Sequence, residues 1–318
     1  MPSLILIALA GLLAQLVDGG LGMGFGVVST SFLISFAGLA PAAASASVHV
    51  AELGTTFVSG LSHWRFGNVK WGIVLWLAVP GAVGAFAGAT FLSNISTEAA
   101  TPIMGLILTG IGLFLMARFV RGWSPAPTKN AHHNRGFLGV LGVFGGFIDS
   151  TGGGGWGPTT TSTLLAVGKD EPRKVIGTVS ASEFLVTLAA VLGFVYGLRE
   201  EILEYGTAIL ALLAGGVIAA PLAAYIVTKI NPAALGGVVG TLLIVLNLPD
   251  VLEAAGVGDT ANNVVRVLVI VVGLGSTLAG YLYNRKHEKD KEQQGFGEEA
   301  AESSAGAESE SEAADAHR

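Results

Sequence analysis

Four stretches of this chain, Trp71–Thr97, Tyr205–Thr228, Pro232–Pro249 and Val267–Asn284, contain no Asp, Glu, Lys or Arg. Each approaches or exceeds the roughly 20 apolar residues that cross a bilayer as a helix. A soluble core does not repeat such segments along a whole chain. Charged residues make up 13% of the sequence, against about 25% in soluble domains. The uncharged segments are apolar on every side and rich in Ala, Gly and Leu, as packed membrane helices are. Barrel strands would instead alternate apolar and polar residues over segments of about ten. The expected fold is therefore all-α and integral to a membrane. The chain has no cysteine, which excludes disulfides and thiolate metal sites. Pro2–Val17 is apolar with no basic residue ahead of it, so it is expected to stay as structure rather than to be removed as a signal peptide.

A shift of about 131 residues lays Asp18–Thr56 on Asp149–Thr187 without a gap. Asp18 falls on Asp149, Gly22 on Gly153, Gly24 on Gly155, Gly26 on Gly157, Thr30 on Thr161, Ser31 on Ser162, Pro41 on Pro172 and Glu52 on Glu183. After a small gap, Gly81-Ala-Val-Gly falls on Gly216-Val-Ile-Ala. Matched acids inside apolar sequence are rare enough to make this a duplication. Each unit reads as an apolar segment reaching an acid and a Gly cluster, then a Ser/Thr-rich apolar segment. A Pro-started helix with a lone Glu follows (Pro41–Ser62; Pro172–Leu198), and then two uncharged helices. The expected division is residues 1–120 for the first unit, 121–135 for a basic linker and 136–250 for the second unit. A final membrane helix is expected at 264–284 and an acidic, disordered tail at 285–318.

Loop Lys and Arg residues mark the cytoplasmic side of a membrane protein. Here they gather at Arg65–Lys70, Arg118–Arg135, Lys169–Lys174 and Arg285–Lys291. All four groups share a side only if Gly136–Gly168 enters and leaves on that side, and this segment is too short for two full spans. A Gly-broken or re-entrant helix pair with its turn at Ser150–Gly157 meets both conditions. Three full spans per unit then make the two units inverted, a layout of secondary transporters, with the tail in the cytoplasm of a plasma-membrane protein.

The duplicated segments Asp18–Ser31 (DGGLGMGFGVVSTS) and Asp149–Thr163 (DSTGGGGWGPTTTST) carry the chemistry. Four consecutive glycines leave helix and free backbone groups, which a membrane tolerates only inside protein or beside a water-filled cavity. Pro158 suits a first helical turn, so a helix is expected to start near Gly157 with its N–H groups facing the loop. That arrangement binds anions without a basic side chain. The candidate substrate residues are Gly22, Gly24, Gly26, Thr30, Ser31, Gly152, Gly153, Gly154, Gly155, Trp156, Gly157, Thr160, Thr161 and Ser162. Close helix packing by small residues is the alternative reading of the glycines. No Gly-Lys-Ser/Thr ends either segment, so an ATPase is not indicated.

Asp18, Glu52, Asp149 and Glu183 interrupt apolar sequence, and intramembrane acids are functional by default. Their expected role is proton binding, because a low-dielectric surrounding favours the neutral acid, and a neutral acid tolerates a neighbouring anion. For the two Asp residues, helix capping near the interface is the competing reading. His49 stands one turn before Glu52 and is a candidate relay. His63–Lys70 reads as an interfacial loop with aromatic and positive-inside residues. His132-His133 lacks partners at metal-ligand spacing and reads as solvated loop. Neither a metal nor a cofactor is expected, nor a nucleic-acid partner.

The duplicated Gly segments, GGLGMGFG and TGGGGWGP, each with its Pro-led, acid-bearing helix, resemble those of the sulfite exporter TauE/SafE membrane permeases. The HWRFGNVKW loop is similar to the segment between that family's early helices. The resemblance covers roughly residues 5–284. It implies a secondary transporter, not an enzyme, that moves sulfite, sulfonates or related organosulfur anions, usually outward. Leu21, Met23 and Phe25 interrupt the first Gly run, which makes Gly152–Gly155 the better candidate for substrate contact. Rival readings are a cation- or metal-coupled carrier, and a non-transporting scaffold or sensor acting through its linker and tail.

Overall fold

The computed structural model describes residues 3–120, 133–167, 170–226 and 232–283. Every regular element among them is a helix. The first unit holds α1 (Leu4–Leu21), α2 (Phe25–Ala37), α3 (Pro41–Arg65), α4 (Trp71–Asn94) and α5 (Thr97–Val120). The second holds α6 (Arg135–Gly152), a π-helical turn (Gly157–Thr161) running into α7 (Ser162–Val167), α8 (Pro172–Glu204), α9 (Gly206–Ile226) and α10 (Pro232–Ala254). A last helix, α11, spans Asp259–Tyr283. Among the described residues five helices are long and apolar enough to cross a membrane: α4, α5, α8, α10 and α11.

The duplication survives in the element boundaries. α1 and α6 are both 18 residues long, and both are capped by a polar side chain, Ser3 or Asn134, that accepts from backbone N–H groups. Pro41 and Pro172 each open the long helix that follows the hairpin, where a missing N–H costs nothing. The expected end of the latter helix at Leu198 is a kink (φ −132°, ψ 36°), after which helix resumes to Glu204. α11 begins five residues before the expected 264, and α10 runs four past 250.

Between α6 and α7 the chain doubles back. A Cβ on Gly145 would touch Thr160 Cγ2 at 2.8 Å. His133, just before α6, lies 3.0 Å from Asp170, just after α7. The segment between them therefore starts and finishes at one end of the molecule as a helical hairpin. The α3–α4 loop meets the same end, where Lys70 Nζ bonds Asp170 and Lys174 Nζ donates to Gly67 O. Arg135 stacks over the Trp76 ring there, 5.1 Å from its centroid.

Each hairpin packs chiefly on the other unit, α1 against α9 and α6 against α4. Glycines set these distances. A Cβ on Gly146 would lie 2.1 Å from Gly81 O, and one on Gly215 would lie 1.9 Å from Ala8 O. Backbones this close gain dispersion contacts, which drive helix association in lipid. α3 pairs with its counterpart α8 in antiparallel fashion: Gly60 meets Ala181, Phe57 meets Phe184, and His49 meets Phe194. α5 and α10 also run antiparallel, with Gly105 against Val251 and Gly112 against Gly240. Leu75, Val83, Val140, Leu210, Ile218, Val271 and Val272 are all more than 45% exposed, a surface suited to lipid rather than water. Trp64, Phe66, Trp71 and Trp76 are exposed around the α3–α4 loop, as an interfacial aromatic belt requires.

Candidate substrate and proton site

Both hairpin tips are built alike. α1 ends on Gly22 (φ 68°) and α6 on Gly153 (φ 69°), left-handed positions that disfavour a side chain. In each case the capping N–H returns to the carbonyl of the acid one turn earlier, Asp18 or Asp149. The side chain of that acid then reaches past the glycines to the next helix. The Asp18 carboxyl lies toward the Phe25 N–H. Asp149 Oδ1 accepts from the N–H groups of Gly155 at 2.7 Å and Trp156 at 2.8 Å. Phe25 and Trp156 are counterparts in the duplication. For Asp149 the capping geometry is present, but at a buried position rather than near the interface, since its side chain holds two N–H groups of the next helix and the residue is 1% exposed.

The two tips cross with backbone against backbone. A Cβ on Gly154 would lie 2.3 Å from Gly26 Cα, and one on Gly157 would lie 2.7 Å from Met23 Cβ. Thr30 Oγ1 donates to Gly153 O, from the first tip into the second. Gly22 faces Ile176 of α8, Gly24 faces Val17 of α1, and Gly152 faces Ile107 of α5. The duplication therefore brings Gly22–Gly26 and Gly152–Gly157 to one place.

The expected hydroxyl donors are mostly turned elsewhere. Thr160 Oγ1 donates back to Trp156 O. Ser162 Oγ lies 3.5 Å from Met23 Sδ. Ser31 Oγ accepts from Asn247 Nδ2 at 2.9 Å. Thr161 Oγ1 is buried without a hydrogen-bond partner. Trp156 is wholly buried, with Nε1 donating to Val179 O at 3.3 Å.

Against Asp149 stands His49. Its Nε2 lies 3.2 Å from Asp149 Oδ2, and its Nδ1 lies 2.8 Å from Ser45 O. Ser45 Oγ sends its proton to Ser150 O at 2.8 Å, which ties α3 to the hairpin tip. Glu52, 4% exposed, reaches the tip crossing. Its Oε1 would be 3.3 Å from a Cβ on Gly26, and its Oε2 has no hydrogen-bond partner. Glu183 lies within range of the charges of Glu52, Asp18 and Asp149. All five titratable candidates therefore form one cluster. Among the described residues no three His, Asp or Glu side chains converge as metal ligands.

Three participants were not anticipated. Asn247 is a lone buried amide in an apolar helix, a signal of the same kind as the lone acids. Ser45 and Ser150 were hidden among many small residues. A second polar cluster corrects the solvated-loop reading of His133. Its side chain is 3% exposed and is paired with Asp170, which Lys70 bonds from the other side. Burial works against the Asp170 carboxylate, but bonds from Lys70 and His133 outweigh it and hold its pKa below the usual carboxylate range. His132 lies outside the described residues.

A family profile described as sulfite exporter TauE/SafE matches residues 7–248, a span that includes both hairpins and every residue of the central cluster. The chain belongs to the TauE/SafE family. It is accordingly a multi-pass membrane transporter and not an enzyme. The probable membrane transporter protein YtnM of Bacillus subtilis (strain 168) is 47% identical over 248 residues, which cover 78% of this chain and 82% of that protein. No solved structure matches the chain.

Proposed function

We propose that this TauE/SafE transporter exports a small sulfur oxyanion, sulfite or a sulfonate, by alternating access between two inverted units. The observation that carries the reading is the second hairpin tip, where backbone N–H groups already hold an oxyanion, the carboxylate of Asp149. Two adjacent N–H groups converging on a single carboxylate oxygen suit one oxygen of a sulfur oxyanion equally well. The antiparallel run of α3 against α8 and of α5 against α10 supports inversion, since each helix opposes its own counterpart. Asp18, Glu52, Asp149, Glu183 and His49 form the proton-binding group. Lys70, Arg135 and Lys174 at one end of the molecule support a cytoplasmic assignment for that end in the plasma membrane, and with it a cytoplasmic C-terminus. A negative-inside potential favours anion exit by about 2.3 kcal/mol per charge per 100 mV.

Flux of labelled sulfite in proteoliposomes, under an imposed pH gradient or potential, tests this. Protein-dependent flux that responds to the gradient is expected, and Glu183→Gln should blunt that response. Absence of flux for sulfite and for sulfonates under every gradient would end the substrate assignment. The four clustered carboxyls also fit a cation-coupled carrier. That reading requires flux that depends on sodium or another cation at constant pH.

A further inference from the structure

We propose that Asp149 is the protein's own occupant of the anion position. An arriving substrate would replace it there while the His49–Asp149 pair takes up one proton. The inference rests on the anion-transport reading above and specifies how that site handles charge.

The hydrogen-bond network assigns the proton. Ser45 O can only accept, so His49 Nδ1 must carry a hydrogen toward it. Ser45 Oγ has committed its own hydrogen to Ser150 O, so it cannot donate to Nδ1 instead. Nε2 and Asp149 Oδ2, 3.2 Å apart, therefore share a single proton between them. Whether it rests on nitrogen or oxygen, the pair is neutral overall.

The other carboxylate oxygen occupies the N–H groups of Gly155 and Trp156. An external oxyanion seeking these donors meets an oxygen already seated, and two negative charges cannot share them in a buried site. A second proton resolves the conflict. With His49 as imidazolium and Asp149 as neutral acid, the pair carries one positive charge, and the bound monoanion balances it. The proton arrives from whichever side is open and leaves with the anion, so a monoanion crosses without net charge and the membrane potential acts only on a further charge carried by a dianion.

A second observation points to a ligand at the same place. Glu52 Oε2, Thr161 Oγ1 and Ser150 Oγ are buried without hydrogen-bond partners, and Glu52 stands at the tip crossing itself. Buried orphan polar atoms in a membrane core are costly unless a ligand completes them. The charged groups facing the pair are Asp18 from α1, Glu52 from α3 and Glu183 from α8. Among the described residues no Lys or Arg is ion-paired with these acids. His49 is the basic group paired with Asp149, and Arg118 Nη1 donates to Ser162 O at 3.0 Å.

Calorimetric titration of sulfite into detergent-solubilised wild type, Asp149→Asn and the double variant Asp149→Asn/His49→Gln, in buffers of different ionisation enthalpy, counts the protons taken up. Titration of sulfite itself is common to all three proteins, so the differences report the pair. Wild type should take up about one proton more per sulfite than the double variant, which keeps neither group of the pair. Asp149→Asn should also bind sulfite about tenfold tighter near neutral pH, because a neutral amide competes less for the N–H groups than a carboxylate does. Equal proton counts in wild type and the double variant would overturn the proposal. If none of the three binds sulfite, the substrate reading fails, and the pair is judged in ligand-free protein by ¹⁵N-histidine spectra. His49 is then expected to be protonated at Nδ1, with an Nε2 resonance that moves in Asp149→Asn. A His49 lacking the Nδ1 proton would overturn the proposal on its own.

Discussion

Gly154 faces Gly26 with no side chain between them, so a single methyl group should be felt. Gly154→Ala combines φ +127° with a Cβ 2.3 Å from Gly26 Cα. It is expected to destabilise by about 3 kcal/mol or more and to abolish transport. Gly275→Ala, where nothing lies within 4 Å, should stay within about 0.5 kcal/mol; thermal unfolding in detergent compares the two. Asp170 makes a different prediction. Because its folded pKa is depressed, its contribution is present above the ordinary carboxylate range and lost as pH falls through the folded value. Asp170→Asn should remove the contribution at neutral pH. Hydrogen exchange in the α3–α4 loop should then rise at neutral pH and no longer depend on acidification. An unchanged exchange rate would show that the contact does not hold the loop. The lone acids and the tandem glycines were legible because they break an apolar pattern. The partners of His49 and His133 were not, because contacts across 100 and 37 residues have no local sequence trace.

At the level of helices, the Gly run foretold a break in the second unit's first helix, and Pro158 and Pro172 foretold the helical starts at Gly157 and Pro172. It could not foretell which helix each hairpin chooses. α4, α5, α9 and α10 are all uncharged or nearly so and rich in small residues, so apolar pattern alone does not separate the possible pairings. The choice lies in Gly spacing: Gly142 and Gly146 meet Leu77 and Gly81, and Gly84 meets Val143. Gly146→Leu should therefore part α6 from α4 and expose the second hairpin to limited proteolysis, while Gly110→Leu, with nothing within 4 Å, should not. Equal cleavage of the two variants would mean that the α4–α6 seam does not hold the hairpin.

Across the whole molecule, charge is unevenly shared between the two ends. Arg65, Lys70, Arg135, Arg173 and Lys174 lie where α4, α6 and α8 begin. The other end of α8 carries Glu200, Glu201 and Glu204 against Arg199. A reporter fused after the C-terminus is expected to be active only in its cytoplasmic form; activity of a reporter that works only outside would reverse the orientation. The packing of each hairpin on the other unit also has a consequence for biosynthesis. When α6 emerges, its partner α4 has already been made, so the second hairpin has a seat waiting. α1 comes first and must wait for α9, close to 200 residues later, a delay on the order of ten seconds or more at ordinary rates of synthesis. Through that interval the oldest part of the chain is the least finished. It is there that an insertase or membrane chaperone has the most to protect.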